Sequence, residues 1–105
     1  MSTAQLNNVS VNTQANVYFD GKCVSHGITL ADGTKKSVGV VLPATLTFNT
    51  GAPDIMACVA GSCEYKLAGR TEWLRSGPGQ SFRIEGQSSF EIRVTEAYHY
   101  ICHFG

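Results

Sequence analysis

With 105 residues, of which 43% are hydrophobic and 15% charged, the chain has material for one globular domain with one modest core and no room for a second. Eight basic and eight acidic residues cancel to a formal net charge of zero, which argues against a nucleic-acid-binding protein, so any anion site must be local. No apolar stretch is long enough to cross a bilayer, and the first residues lack a signal-peptide pattern, so we expect a cytoplasmic protein without a membrane partner.

The first 16 residues are rich in Asn, Thr, Ser and Gln. Only Val9 and Val11 alternate there with polar neighbours, which predicts a loosely ordered arm or an edge strand over residues 1–16. Residues 17–105 are predicted to form the single domain. The dipeptides Asp20-Gly21 and Asp32-Gly33 are typical of tight turns and separate the first strands of that domain.

Short strand signals recur evenly through the rest of the chain. The predicted strands span residues 22–30, 35–42, 45–50, 55–60, 63–67, 71–75, 81–85, 88–95 and 98–104. The nearly all-apolar segment 55–60 is typical of a strand that is buried on both faces. Alternation in the last strand places Tyr100 and Cys102 on one face, with Tyr98 and Phe104. The opposite face carries His99, Ile101 and His103.

No segment shows a helical repeat with caps, so we predict an all-β protein. Consecutive strands are joined by short turns, which favours antiparallel pairing. A closed or rolled barrel would protect the strand edges, and the arm could pair with a second copy to form a dimer.

The cysteines and histidines do not form a recognisable metal or disulfide pattern. None of the four cysteines stands in a CxxC pair, so we expect reduced, buried thiols at Cys23, Cys58, Cys63 and Cys102. The three histidines, His26, His99 and His103, are expected at the surface or at a strand edge, and a general-acid role for His26 is the lesser alternative.

Residues 54–90 resemble the two motifs of the cupin superfamily. Asp54 followed by six residues and Gly61 matches the end of the first motif, and the segment from Gly79 to Phe90 has the length of the second. In that alignment Phe90 replaces a metal-binding histidine, and the paired histidines of the first motif fall at Phe48 and Thr50, or at 47 and 49 if the loop is one residue longer. Because only the Asp54 carboxylate remains of the usual ligand set, we expect no cupin-type metal.

A narrower resemblance covers most of the chain after the arm. It rests on the order of the segments VYFDGKCVS, ADGTKKSVGVVLP, PDIM, GQSF and SSF, together with Trp73 and the closing residues 100–102. These segments resemble the small cupin-type pyrimidine/purine nucleoside phosphorylases. The resemblance implies a cupin-like antiparallel β-barrel of the jelly-roll type, and with the arm available for pairing we expect a homodimer. It also implies metal-independent phosphorolysis of nucleosides to free base and ribose 1-phosphate, with inorganic phosphate as co-substrate and no cofactor.

Under this resemblance Asp54 is the candidate catalytic residue. Its carboxylate could hold ribose hydroxyls or support positive charge on the sugar, whereas the alternative is a turn-capping aspartate after Pro53. The candidate substrate-binding residues, expected to supply flat apolar walls that accept many bases, are Phe48, Thr50, Met56, Phe90 and Tyr100.

A phosphate site needs Lys or Arg together with hydroxyl or backbone donors. The segment Lys35–Ser37, beside the Gly33 turn, is one candidate, from which Lys36 and Ser37 are selected, and Arg70, near Gly69, is another. The alternative for each cation is a solvated side chain at a strand end.

Two other functions stay open at this stage. Departures from the family pattern at Thr45, Ala57, Gln87 and His99 leave room for a non-catalytic barrel that binds nucleosides or sugar phosphates. A divergent metal-dependent cupin enzyme is the third possibility, and it would carry stoichiometric metal.

Overall fold

The computed structural model describes residues 5–104, and these residues form an all-β, antiparallel fold. The eleven strands are β1 Ser10–Val11, β2 Asn16–Tyr18, β3 Cys23–Thr29, β4 Lys35–Val41, β5 Ala44–Asn49, β6 Asp54–Ala60, β7 Cys63–Leu67, β8 Leu74–Ser76, β9 Ser81–Ile84, β10 Ser89–Val94 and β11 Tyr98–Phe104. A single 3₁₀ turn, Phe19–Gly21, joins β2 to β3.

The strands form two sheets. The larger has the order β1-β3-β4-β11-β6-β9, with β2 also paired to β3, and the smaller has the order β5-β10-β7-β8. Both sheets contribute to one hydrophobic core, which includes Val41 and Ile84 from the larger sheet and Ile92 and Val94 from the smaller. We call the side of each sheet that faces this core its inner face, and the opposite side its outer face.

The register of the larger sheet aligns inner-face residues from five strands. Thr29 of β3 pairs with Lys35 of β4, and Asp54 of β6 pairs with both Phe104 of β11 and Ile84 of β9. We call this set of five residues the end row. The next inner-face row, one pleat further into the sheet, contains Gly27, Ser37, Cys102, Met56 and Phe82.

Most predicted strands are confirmed to within one or two residues at their ends. The predicted strand 71–75 is the exception, because pairing there begins at Leu74 and ends at Ser76. Trp73 precedes that strand, and its ring centroid lies 4.1 Å from Cζ of Arg93, so cation–π packing on the smaller sheet holds the indole outside the ladder.

The prediction that strand 55–60 is buried on both faces is wrong. Met56 and Cys58 are buried on the inner face, whereas their neighbours are only partly covered on the outer face. By contrast, the predicted alternation of the last strand is confirmed, because Tyr98, Tyr100 and Cys102 are buried and His99 is exposed.

Glycine is required at the turn between β6 and β7. Gly61 has a φ of +75°, and a Cβ atom built there would lie 2.1 Å from the carbonyl oxygen of Ala97. The turn therefore packs directly on the chain that leads into β11, and no side chain fits between them.

The arm contains two short strands that pair with the same edge. Ser10 and Val11 of β1 pair with Thr29 and Ile28, and β2 pairs with the first half of β3. Part of the predicted arm, residues 1–4, lies outside the described residues, and the division of the chain at residue 16 stays a prediction. All four cysteines are buried and unpaired with one another, as expected. Within residues 5–104, no helix has the length and apolar character that crossing a bilayer requires.

Candidate active site

A cavity of about 290 Å³ lies between the inner faces of the two sheets. We call it the inner cavity. Its polar wall belongs to the larger sheet and includes Ser25, Ser37, Asp54, Tyr100 and Cys102, while the smaller sheet supplies Phe48, Asn49 and Phe90. Its volume is at the lower limit of typical small-molecule pockets, about 300–1,000 Å³, so it suits a compact ligand. Lys35 and Phe104 are exposed at the end row, which marks the open end of the cavity.

Asp54 is the acidic side chain of this lining, and it lies at the open end. Its position as the first residue of β6 points it to the inner face, beside Phe104 and Ile84. Partial burial raises the pKa of its carboxyl, because the apolar surroundings penalise the charged form. The group is thus a carboxyl with increased proton affinity.

Burial keeps two further titratable groups of the cavity, Cys102 and Tyr100, in their neutral forms. Burial, followed by the nearby charge of Asp54, raises the pKa of the Cys102 thiol to about 12. Burial also raises the pKa of Tyr100 well above its usual range, and the Tyr100 hydroxyl lies 3.6 Å from Sγ of Cys23. Neither group ionises near neutral pH, so both act as hydrogen-bonding groups and not as nucleophiles.

Aromatic rings form the opposite wall. Phe48 and Phe90 stack with centroids 5.3 Å apart and an interplanar angle of 17°. Phe82 packs its edge against Phe90, and Phe19 packs its edge against Phe48 at 5.2 Å. Phe19 has a φ of +53°, which a bulky residue rarely adopts, and its contact with Phe48 is one interaction that offsets this strain.

The structure brings together most of the predicted site residues. Six of them line the inner cavity, namely Ser37, Phe48, Asp54, Met56, Phe90 and Tyr100. Thr50 lies nearby but has a structural task, because its hydroxyl donates to the carbonyl oxygen of Glu85 at 2.6 Å and accepts from the Ser88 amide at 3.0 Å.

The two predicted phosphate-binding cations are not brought to the cavity. Lys36 follows Lys35 and precedes Ser37 on β4, so alternation places it on the outer face, where its ammonium contacts Nδ1 of His103. Arg70 is exposed in the connection after β7, where its amide donates to the Leu67 carbonyl oxygen. Among the described residues that line the inner cavity there is no Lys, Arg or His.

The sequence analysis missed several lining residues, which are Asn16, Tyr18, Ser25, Asn49, Cys102 and Phe104. The alternation of residues 98–104 already placed Cys102 and Phe104 on the face of Tyr100, so that signal could have found them. Asn16 and Tyr18 come from β2, whose three residues carry no pattern that would place them beside the cavity.

A larger concavity of about 610 Å³ lies on the outer face of the larger sheet. We call it the outer concavity. Its walls are mainly aliphatic, with Val24, Val38 and Ile101 from the sheet and Leu6 and Val9 from the arm. Its titratable side chains among the described residues are His26, His99 and Tyr100, and the described lining holds no carboxylate. We therefore locate the chemistry in the smaller inner cavity.

The donor atoms of the inner cavity do not match a cupin metal site. The histidines lie on the outer face or its rim, and within residues 5–104 no three His, Cys, Asp or Glu side chains are grouped to hold a metal ion. One carboxylate and one thiol of high pKa face the cavity instead. Such a set offers far weaker metal binding than three imidazoles and a carboxylate.

Comparisons of the sequence with a family model and with known proteins lead to the same family. The family model described as pyrimidine/purine nucleoside phosphorylase matches residues 13–104. A protein of that name from Albidiferax ferrireducens is 71% identical over the full length of both chains, and one from Leptothrix cholodnii is 74% identical over 91% of this chain and 93% of its own.

Solved structures agree with this match. A protein of unknown function from Acinetobacter sp. superposes with a TM-score of 0.94 at 43% identity, covering 96% of this chain and 98% of its own. The chain belongs to the pyrimidine/purine nucleoside phosphorylase family.

Proposed function

We propose that the chain cleaves the N-glycosidic bond of purine and pyrimidine nucleosides with inorganic phosphate, releasing the free base and ribose 1-phosphate. Full-length relatives about 71% identical to this chain carry the name of that activity. The observation that carries the proposal is the inner cavity, in which the Asp54 carboxyl and the hydroxyls of Ser25, Ser37 and Tyr100 face an aromatic wall.

The reaction is balanced without any further reagent. A phosphate oxygen forms a bond to C1′ of the ribose, the bond from C1′ to the base nitrogen breaks, and the base leaves with that electron pair. The proton of hydrogen phosphate ends on the base. The sugar passes through an oxocarbenium-like state, so a carboxylate beside C1′ stabilises the transition state more than the ground state.

Asp54 fits that role because it lies in partly desolvated surroundings, where its interaction with a developing positive charge is stronger than in water. Ser25, Ser37 and Tyr100 supply hydroxyls at the same wall, suited to the ribose oxygens.

The aromatic wall accounts for a broad range of bases. Phe48 and Phe90 offer flat surfaces to any base, and stacking does not depend on the edge pattern that distinguishes purines from pyrimidines. Met56, on the larger sheet one pleat in from the end row, adds a flexible apolar contact. No cofactor or metal is part of the proposal, since phosphate and nucleoside contain every atom that the reaction rearranges.

The fold that supports this site is proposed to be a cupin-like barrel of the jelly-roll type, because the two antiparallel sheets enclose one core and one cavity. We place the protein in the cytoplasm, where four unpaired thiols are stable.

We also propose a homodimer in which a second copy covers the outer face of the larger sheet. The outward side chains Val38, Val40, Val59 and Ile101 are only partly covered in one copy, although segment 55–60 has the apolar composition of a strand buried on both faces. Among the described residues that line the outer concavity there is no Lys, Arg, Asp or Glu, so a second copy seated there would not bury a charged lysine, arginine or carboxylate.

To test the function, the protein is incubated with inosine or with uridine, in the presence and in the absence of phosphate. Chromatography then measures the free base that is released. We expect phosphate-dependent release from both nucleosides, a loss of turnover in Asp54→Asn, and unchanged turnover in Glu96→Gln, which removes an exposed carboxylate next to β11. Absence of phosphate-dependent release from several nucleosides would refute the proposal.

A non-catalytic nucleoside-binding barrel is the second candidate, favoured by the lack of a cation among the described residues that line the cavity. Under that alternative, nucleosides would raise the midpoint of thermal unfolding without any turnover. Base release by the wild-type protein would eliminate it.

A further inference from the structure

We propose that Lys35, together with Ser37, binds the phosphate co-substrate at the open end of the inner cavity. This assignment rests on the proposed phosphorolysis. Within the candidate segment Lys35–Ser37, it moves the phosphate site from Lys36 to the neighbouring Lys35.

Strand alternation places Lys35 and Lys36 on opposite faces. Ser37 is buried on the inner face and lines the cavity, so Lys35, two residues away, shares that face. The pairing of Lys35 with Thr29, in register with the pairing of Ser37 with Gly27, agrees with this placement. Lys36 contacts His103 on the outer face and cannot reach the same ligand as Ser37.

The register also gives the distance to the catalytic carboxyl. Lys36 pairs with His103, so the next residue of β11, Phe104, lies beside Lys35. Phe104 in turn pairs with Asp54. Lys35 and Asp54 are therefore two strands apart in the end row, roughly 9–10 Å between backbones. That separation leaves space for a ribose between a phosphate held by Lys35 and the carboxyl of Asp54.

Charge favours this position over one deeper in the cavity. Among the described residues the lining of the inner cavity contains no cation, so a phosphate dianion deeper in the cavity would be buried without a counter-charge. At the open end, Lys35 supplies a full positive charge. Thr29 Oγ1 accepts one of its ammonium hydrogens at 3.0 Å, which leaves two donors for phosphate oxygens.

Ser37 completes the site from the cavity side. Its position two residues along β4 is about 7 Å from Lys35, which is within reach of a phosphate bound by the long lysine side chain. The phosphate would then approach the ribose from the open end, with the base against the aromatic wall.

The two adjacent lysines provide a matched experiment. We expect Lys35→Gln to raise the KM for phosphate about tenfold or more, the scale of a lost charge-assisted contact, with the KM for inosine changed less than about twofold. Lys36→Gln should leave both values unchanged, and Lys35→Arg should restore most of the phosphate affinity. An equal effect of the two glutamine variants, or no effect of Lys35→Gln, would overturn the assignment.

A second measurement separates this proposal from the proposed activity. If the wild-type protein releases no base, the proposed activity is refuted, but the phosphate site can still be tested by binding. The measurement compares the midpoint of thermal unfolding in phosphate with that in chloride at equal ionic strength. Stabilisation by phosphate that is lost in Lys35→Gln and kept in Lys36→Gln supports the site. Equal stabilisation in both variants, or none in the wild type, refutes it.

Discussion

Replacing Tyr98 by phenylalanine is expected to stabilise the protein. The Tyr98 side chain is 0% exposed, and its hydroxyl has no hydrogen-bond partner among the described residues. The Cys63 thiol lies close enough to influence the pKa of Tyr98, but it is not in normal hydrogen-bonding geometry with the Tyr98 hydroxyl. A thiol is in any case a weak hydrogen-bond partner. Folding therefore removes the Tyr98 hydroxyl from water without giving it a hydrogen bond in the native state, which destabilises the fold.

The magnitude follows from that cost. A buried polar group without a partner destabilises the fold by about 1–3 kcal/mol, and we take the lower end because the missing oxygen leaves a small void. A gain of about 1 kcal/mol raises the midpoint of thermal unfolding by about 4–8 °C in a domain of this size. Burial also raises the pKa of Tyr98 well above its usual range, so this gain should be independent of pH from 5 to 9.

Tyr100→Phe is the matched comparison. Tyr100 is buried one row away, and its ring stacks on Tyr98 with centroids 5.9 Å apart. Its hydroxyl, however, faces the Cys23 sulfur and lines the inner cavity. We expect Tyr100→Phe to give no stabilisation and to lower turnover, whereas Tyr98→Phe should leave turnover unchanged.

The measurement is denaturant unfolding of both variants, with the midpoint compared at constant m-value and thermal unfolding as a second probe. A loss of stability in Tyr98→Phe of about 0.5 kcal/mol or more would refute the reasoning, because it would show that the hydroxyl is paired after all.

Three further predictions concern the site and the turns. Because the folded pKa of Asp54 is raised, the native state holds its proton more tightly than the unfolded state, and stability falls as pH rises through that range. Asp54→Asn should therefore melt higher than wild type at pH 7, and the difference should vanish at pH 3; a lower melting point at pH 7 would contradict this. Burial raises the pKa of Cys63 to about 11 and that of Cys102 to about 12. We therefore expect iodoacetamide at pH 8 to label both thiols at least about a hundredfold more slowly in the native protein than in the unfolded protein. Mass spectrometry measures the labelling rate. Rapid native labelling of either would count against it. Gly61→Ala should lower the free energy of unfolding by more than about 3 kcal/mol, because the new Cβ would lie 2.1 Å from a backbone carbonyl oxygen. Gly69 has a φ of +77° but open space around it, so Gly69→Ala should lower the free energy of unfolding by only about 1–2 kcal/mol. Equal unfolding midpoints for the two glycine variants would contradict the packing argument.

The strands were predictable because the side-chain period of a strand is fixed by backbone geometry. Segments such as 63–67 and 98–104 match the observed strands, since polar turns delimit each apolar alternation. The start of β8 was not predictable in the same way. Trp73 has a high strand propensity, but its position is decided by cation–π contact with Arg93, which belongs to a strand that is distant in sequence.

The candidate site was predictable where it depends on the order of motifs along the chain. Phe90 lies within the predicted strand 88–95, and Asp54, directly before the predicted strand 55–60, is the first residue of the observed β6; both line the inner cavity. The choice between Lys35 and Lys36 needed one further step. The two residues are chemically identical, so composition cannot separate them, whereas the alternation that links Lys35 to Ser37 can.

The placement of charge in this site bears on its range of substrates. The Asp54 carboxyl and the Lys35 ammonium both lie in the end row, where they would contact ribose and phosphate, the parts that all ribonucleosides in this reaction share. The wall assigned to the base is formed by Phe48 and Phe90, which contribute area without a hydrogen-bond pattern. A site that required one particular base would need buried polar groups aimed at its edge, and those groups would reject other bases because they would be left unpaired. In this cavity the amide of Asn16 already donates to Ser25 Oγ at 3.4 Å. We therefore expect size, and not the edge pattern of the base, to limit which nucleosides are cleaved.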